Sequence, residues 1–165
     1  MDTKNLKKQT LFISRDNFEY ILTGEQKTEH RDILPSVEKR YIYTEGEGEN
    51  MKVYPVKYDA LYLINGRRKD SPRMLVEIES ADLVAFMNEK TDEPLMVPYG
   101  DGMIEDWQIW YHLGKVLETE NVPEDFEFKY AGKATYDYGM DDSPFNNENG
   151  TFNLIYINFE DEEEG

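Results

Sequence analysis

The sequence contains no cysteine, only two histidines and no long apolar run. Without cysteine it can form neither a disulfide framework nor a cysteine-ligated metal site. No stretch approaches the ~20 consecutive apolar residues of a membrane-spanning helix. Residues 1–9 are polar and lack the apolar core of a signal peptide. These absences indicate a cytoplasmic protein in a reducing compartment, with no membrane partner.

The sequence also has few residues spaced to bind a metal ion or a cofactor. His30 and His112 are far apart and have no spaced carboxylates beside them, so each is better explained by packing or by a surface position. Asp137, Asp141 and Asp142 lie among glycines but lack the regular spacing of a calcium loop. We therefore predict a solvated loop there, no metal site and no cofactor.

Basic residues are scarce in the second half of the chain. Residues 1–79 hold 14 basic and 14 acidic residues, whereas residues 80–165 hold 4 and 21, so this half carries the whole net charge of −17. The chain as a whole should repel nucleic acid, because phosphate binding depends on Lys and Arg, but the first half could bind an anion locally. The acidic half favours solubility. Alternatively, it is a surface for a basic protein partner, or a nucleic-acid mimic.

The pattern of residues near the N-terminus predicts a strand, a helix and a second strand. The first strand covers 10–14, and Ser14 can cap a helix over 15–22. Gly24 suits the left-handed position that ends a helix, and the second strand covers 26–33.

In that second strand Lys27, Glu29 and Arg31 alternate onto one face. Three charged side chains on one face do not form a core. They indicate either a solvated ladder of ion pairs or a binding site.

The rest of the chain is rich in strand patterns. We predict a helix over 35–43, a loop over 45–50, strands over 51–57 and 58–64, a basic hairpin loop over 65–72, a strand over 73–79 continuing through 81–87, a loop over 88–106, and strands over 107–117, 126–130 and 152–159. This is an α+β fold around a mostly antiparallel sheet or barrel. We predict one domain over 1–120 and an acidic extension over 121–165, with added strands and a disordered tail.

Residues 21–32 resemble the ASCH domain family of the PUA-like barrel superfamily. Its hallmark is an early helix ending at glycine, followed by a strand with the pattern Gly-x-Lys-x-x-Glu-x-Arg. Gly24, Glu29 and Arg31 match in register, Gln26 occupies the lysine position, and Lys27 follows one residue later. Residues 65–77 and 111–116 are similar to the family's hairpin and closing strand, so the resemblance covers roughly 10–118.

The resemblance implies a PUA-like barrel that binds RNA or a nucleotide-type ligand in a cleft beside residues 24–31. Arginine suits such a site because its planar fork donates paired hydrogen bonds to phosphate. Aromatic side chains could stack a base, although core packing is the competing interpretation for each; the candidates are Tyr41, Tyr58 and Trp110. The ligand-binding residues we predict are Lys27, Glu29, Arg31, Arg67, Arg68, Lys69 and Arg73.

A second interpretation of the same cleft is a hydrolase acting on a modified nucleoside, as in one branch of the family. Glu29 would be the general base and Lys27 the acid or nucleophile, which requires a desolvated lysine. Gln26 at the family's lysine position argues against catalysis.

Overall fold

The computed structural model describes residues 3–122 and 152–159, which are mainly β-sheet with two short α-helices. This confirms the α+β class. The helices are α1 (Arg15–Thr23) and α2 (Glu38–Tyr41), with 3-10 turns at Thr3–Asn5 and Gly48–Asn50. The strands are β1 (Lys8–Phe12), β2 (Thr28–Asp32), β3 (Ile42–Glu45), β4 (Lys52–Pro55), β5 (Ala60–Ile64), β6 (Arg73–Asn88), β7 (Met96–Tyr99), β8 (Gly102–Glu105), β9 (Trp107–Glu120) and β10 (Asn153–Ile157).

The limits of α1 are set by the two residues that the sequence marked as caps. The Ser14 hydroxyl accepts from the Asn17 amide at 3.4 Å, and Gly24, at φ +82°, donates its amide to the Ile21 carbonyl at 3.1 Å. Both predictions are confirmed. The helix buries Phe18 completely, and burying a side chain of this size stabilises the fold by ~1.5–3 kcal/mol.

The described residues divide into two compact units. The first holds residues up to Glu29, Lys57–Ser80 and 111–122, and the second holds His30–Val56, Ala81–Trp110 and 152–159. Strands β2, β6 and β9 each contribute residues to both. The order of paired neighbours in the main sheet is β1-β5-β6-β9-β2, and β10 pairs with β6.

In the first unit, β5 is the central strand. It pairs in parallel with β1 and antiparallel with the first residues of β6, Arg73–Glu77. Its sequence Ala-Leu-Tyr-Leu-Ile is almost continuously apolar, and Leu61 and Leu63 are fully buried. By contrast, β1 alternates buried and exposed residues. A strand paired on both edges and covered on both faces needs such an apolar run.

The second unit contains two separate antiparallel ribbons, β3 with β4 and β7 with β8. In the first ribbon the rings of Tyr43 and Tyr54 face each other across the strands at 5.4 Å. Strand β10 runs parallel to the last residues of β6, from Val84 to Asn88. Asp106 follows β8, and its partial burial, together with the charge of Asp32, raises its pKa.

Two of our predicted elements are wrong. The helix over 35–43 is reduced to the four residues of α2, because the residues from Ile42 onward are β-prone and pair with β4 as β3. The loop over 88–106 contains the β7–β8 hairpin, which turns at Gly100, at φ +59°. The strand predicted over 107–117 is confirmed as β9, in which Ile109 through Leu113 are all buried, as expected for a strand covered on both faces.

The structure describes only part of the C-terminal segment for which we predicted strands and loops. The strand predicted over 152–159 is observed as β10. The strand predicted over 126–130 and the aspartates Asp137, Asp141 and Asp142 lie outside the described residues, and the separate extension over 121–165 stays a prediction. Within the described chain no closed barrel is found, because β1 and β2 are the two ends of the strand order.

No helix in the described part of the chain is long and apolar enough to cross a membrane.

Candidate functional site

The first unit contains a depression of about 410 Å³ at the segment where α1 ends. We call it the Lys27 cleft. It is lined by Ile21, Gly24, Gln26, Lys27, Val76, Glu77, Glu79, Leu113, Gly114 and Lys115.

Backbone hydrogen bonds fix the segment at the cleft on both sides. The Gln26 amide donates to the Tyr20 carbonyl of α1 at 3.0 Å, and the Leu113 amide of β9 donates to the Lys27 carbonyl at 2.8 Å. The left-handed Gly24 turns the chain between these two anchors. Lys27 therefore projects from a fixed backbone, even though β2 begins only at Thr28.

Four charged side chains line the cleft, two amines and two carboxylates. Lys27, Lys115 and Glu79 are exposed and Glu77 is half-buried. None of the four makes a side-chain hydrogen bond or an ion pair with any residue that the structure describes. The cleft thus offers two donors and two acceptors, with a balanced formal charge, that are not paired within residues 3–122 and 152–159.

Gly114 allows the two glutamates to lie against β9. A Cβ at this position would collide with the Glu77 carboxylate and approach Glu79 Cγ to 3.1 Å. Any larger residue would displace the carboxylates, so this glycine helps to shape the cleft.

Gln26 connects the cleft to Glu29, which is only 3% exposed. Its Nε2 donates to the Thr28 carbonyl at 2.9 Å and lies 3.5 Å from Glu29 Oε2. Its Oε1 is buried and has no hydrogen-bond partner among the described residues, and a buried acceptor left unpaired costs free energy. Of the two interpretations of Lys27, Glu29 and Arg31, a solvated ladder of ion pairs does not fit the structure, because Glu29 is buried; a binding site at these residues stays a prediction.

Two arginines at the basic hairpin loop over 65–72, Arg67 within it and Arg73 directly after it, have interaction partners in the protein. Arg73 donates through Nε to the Ser71 carbonyl and through one terminal nitrogen to the Arg68 and Lys69 carbonyls, all at 3.1 Å. The Arg67 guanidinium lies 4.0 Å from the centre of the Phe12 ring, a cation–π distance. Arg68 and Lys69 are exposed at the tip.

The structure does not gather the seven predicted ligand-binding residues in one depression. Lys27 lines the cleft described above. Arg73 lines a second depression of about 390 Å³, with Lys8, Tyr62 and Glu118 among its other residues. Arg31 is half-buried in β2 and lines neither.

The resemblance and the charge pattern did not identify four of the residues that line the cleft: Glu77, Glu79, Gly114 and Lys115. The sequence does contain a pattern that could have indicated them. Glu77 and Glu79 are charged residues two apart at the end of an apolar strand pattern, and Lys115 follows a glycine that interrupts another. The sequence did not show that these two strands are neighbours.

The aromatic candidates for base stacking are mostly part of the core. Trp110 is 2% exposed and stacks on His30, with ring centres 3.9 Å apart and planes 3° from parallel. Tyr41 is also buried. Tyr58 is half-buried, with the Lys7 amine 5.2 Å from its ring centre. Core packing is therefore confirmed for Tyr41 and Trp110.

Over residues 3–122 and 152–159, no group of three or more His, Asp or Glu side chains is placed to hold a metal ion. Comparisons with protein-family models, with curated proteins and with solved structures find no match for this chain.

Proposed function

We propose that this chain is an ASCH-like binding module that holds a nucleotide-type ligand in the Lys27 cleft. The observation that carries the proposal is the position of the cleft and its four charged side chains, which have no ion-pair partner in the part of the chain that the structure describes. The cleft lies at Gly24, Gln26 and Lys27, within the segment that resembles the ligand-binding motif of that family. On this proposal the sheet belongs to the PUA-like barrel class.

The groups in the cleft suit the mixed chemistry of a nucleotide. Its volume is within the ~300–1,000 Å³ typical of small-molecule sites. The amines of Lys27 and Lys115 can donate to phosphate or carbonyl oxygens, while Glu77 and Glu79 can accept from exocyclic amino groups or sugar hydroxyls.

A single nucleotide fits this arrangement better than an RNA chain. Binding along an RNA backbone needs several lysines and arginines that neutralise successive phosphates. Here the cleft has as many carboxylates as amines, and Arg73 is occupied by carbonyls of its own loop. We therefore expect one phosphate at most to be neutralised.

Binding is favoured over hydrolysis. A lysine that acts as nucleophile or acid near neutral pH needs a desolvated or cationic environment, whereas Lys27 is exposed. The position that the resemblance gives to lysine holds the neutral amide of Gln26.

The test is calorimetric titration of the purified chain with the four ribonucleoside monophosphates, cytidine and a single-stranded RNA, at two salt concentrations. We expect a monophosphate to bind more tightly than the RNA. The double variant Lys27→Ala/Lys115→Ala should weaken this binding roughly 100-fold or more, because hydrogen bonds to charged groups contribute ~1.5–3 kcal/mol each and every 1.4 kcal/mol is tenfold in affinity.

The matched control is Lys52→Ala/Lys57→Ala, which removes two exposed lysines outside the cleft. If this control loses as much affinity as the cleft variant, the contribution is general electrostatics and the proposal fails. It also fails if no member of the panel binds.

A further inference from the structure

The β7–β8 hairpin of the second unit presents an apolar outer face. Met96 pairs with Glu105 and Pro98 with Met103 across the strands, and directly opposed residues of an antiparallel pair point to the same side. These four residues are all exposed, Met96 at 48% and Met103 at 56%. The residues of the opposite face, Val97, Tyr99 and Ile104 among them, are half-buried.

The base of the hairpin is firmly attached within its unit. The Leu95 amide donates to the Phe86 carbonyl at 2.9 Å, the Phe86 amide to the Asp106 carbonyl at 3.0 Å, and the Asp106 amide to the Leu95 carbonyl at 2.8 Å. An isolated two-stranded ribbon is only marginally stable, and these bonds to β6 hold it in place. The outer face therefore belongs to a hairpin whose base is held in place by backbone hydrogen bonds.

The hairpin and the residues that flank it are acidic, with Asp101 and Glu105 inside the hairpin itself. Residues 91–106 contain five acidic residues and no basic one. Glu105 shares the outer face with the methionines, and Asp101 lies in the turn between the strands. Methionine side chains are flexible and polarisable, so they adapt to the shape of a partner.

The charge determines which partner fits. A second copy of this chain would bring two acidic hairpins together, and like charges facing each other oppose association. A partner segment with apolar side chains and surrounding lysines or arginines would instead match both features, the methionine face and its acidic rim.

We propose that the outer face of the β7–β8 hairpin is a docking surface for a basic, apolar segment of a protein partner. Apolar side chains of the partner cover Met96, Pro98 and Met103, and its cations meet Asp101 and Glu105. This gives the acidic half of the chain a defined binding position that is separate from the Lys27 cleft.

The probe for this proposal is a fluorescein-labelled amphipathic peptide of twelve leucines and lysines, titrated with the full chain and followed by fluorescence anisotropy. The comparison peptide has glutamate in place of lysine. We expect only the lysine peptide to bind. Met96→Thr/Met103→Thr should weaken its binding roughly tenfold or more, as loss of central interface residues does. Asp101→Asn/Glu105→Gln should weaken it and reduce its dependence on salt.

Matched variants elsewhere separate docking from general attraction to an acidic protein. Met51→Thr removes an equally exposed methionine, and Glu47→Gln/Glu49→Gln removes two exposed charges near the β3–β4 turn. Both controls should bind the peptide as the unaltered chain does. Equal loss in the charge control would overturn the proposal.

Sedimentation of the chain alone tests whether a second copy of the chain, and not a different protein, covers the hairpin. We expect a monomer across a concentration series, both for the unaltered chain and for Met96→Thr/Met103→Thr. A dimer that this double variant abolishes would show that a second copy covers the hairpin, and the proposal would be wrong.

Discussion

The Lys27 cleft and the basic hairpin loop over 65–72 both contain several charged side chains, but the two regions differ in whether those side chains have hydrogen-bond partners in the protein. In the loop, Arg73 donates to three carbonyls of its own segment, and the Ser71 hydroxyl accepts from the Arg68 amide at 2.9 Å. In the cleft, four charged side chains have no such partners within the described residues. Charged side chains that converge on a depression without protein partners are available to a ligand, so the cleft is the better candidate for a binding site.

Gly66 of the loop and Gly24 of the cleft show the same contrast. Gly66 has φ +128°, and a Cβ there would lie 2.6 Å from Ser71 Oγ. Gly24 has φ +82°, and a Cβ there would meet nothing within 4 Å. The loop is closed tightly at Gly66, whereas the cleft is open at Gly24 and tight only at Gly114, where a Cβ would collide with the Glu77 carboxylate.

Gly66→Ala should have the largest effect on stability. The substitution imposes a positive φ on a residue with a Cβ and also forces Ser71 away from the Arg68 amide. We expect the free energy of unfolding to fall by ~2–3 kcal/mol, measured by urea denaturation.

Gly102→Ala is the control for Gly66→Ala, because Gly102 has open space around it and no positive φ. It should leave the unfolding midpoint nearly unchanged. Equal losses in the two variants would mean that the loop is not closed as described.

Arg73→Ala should have the next largest effect. It removes the donors of three hydrogen bonds to loop carbonyls, partly offset by water at this exposed site, and we expect a loss of about 1–2 kcal/mol. Arg73→Lys keeps the charge but not the planar fork, so it should be nearly as destabilising. Full stability in Arg73→Lys would show that charge, and not the hydrogen-bond geometry, is what the loop requires.

The parts of the fold that sequence predicted best depend on local chemistry. Ser14 and Gly24 act within one turn of the helix they cap, and the apolar run of β5 marks a buried strand by itself. The β3 strand and the β7–β8 hairpin were missed because tertiary pairing decided them. Ile42 follows a helical pattern directly, and Pro98 lies in a strand that is paired on one side only.

The candidate site was predictable only in its first part. The resemblance pointed to Gly24, Gln26 and Lys27 because they are consecutive. Glu77 and Lys115 join them through the pairing of β6 with β9, strands that are separated along the chain by the β7–β8 hairpin. The sequence shows that Gln26 stands at the position of a lysine. The contact of its side-chain amide with Glu29 depends on the folded structure and could not be predicted from sequence.

Gly24→Ala should cost less than either loop variant. Its left-handed φ is unfavourable for alanine by about 1 kcal/mol, but no atom is displaced. We expect a loss of that size in urea denaturation. A loss as large as that of Gly66→Ala would remove the contrast between an open cleft and a closed loop.

Lys27→Ala/Lys115→Ala should have the smallest effect on stability. Both lysines are exposed and make no ion pair with the described residues, and substitutions at such positions usually change stability by less than ~0.5 kcal/mol. Thermal denaturation should therefore give nearly the same midpoint for the variant and the unaltered chain. Adding the monophosphate that binds best should raise the midpoint of the unaltered chain only, since a ligand stabilises the folded state that it binds. A loss above ~1 kcal/mol without ligand would mean that these amines already stabilise the fold; the cleft would then resemble the loop, and its charges would not be free for a ligand.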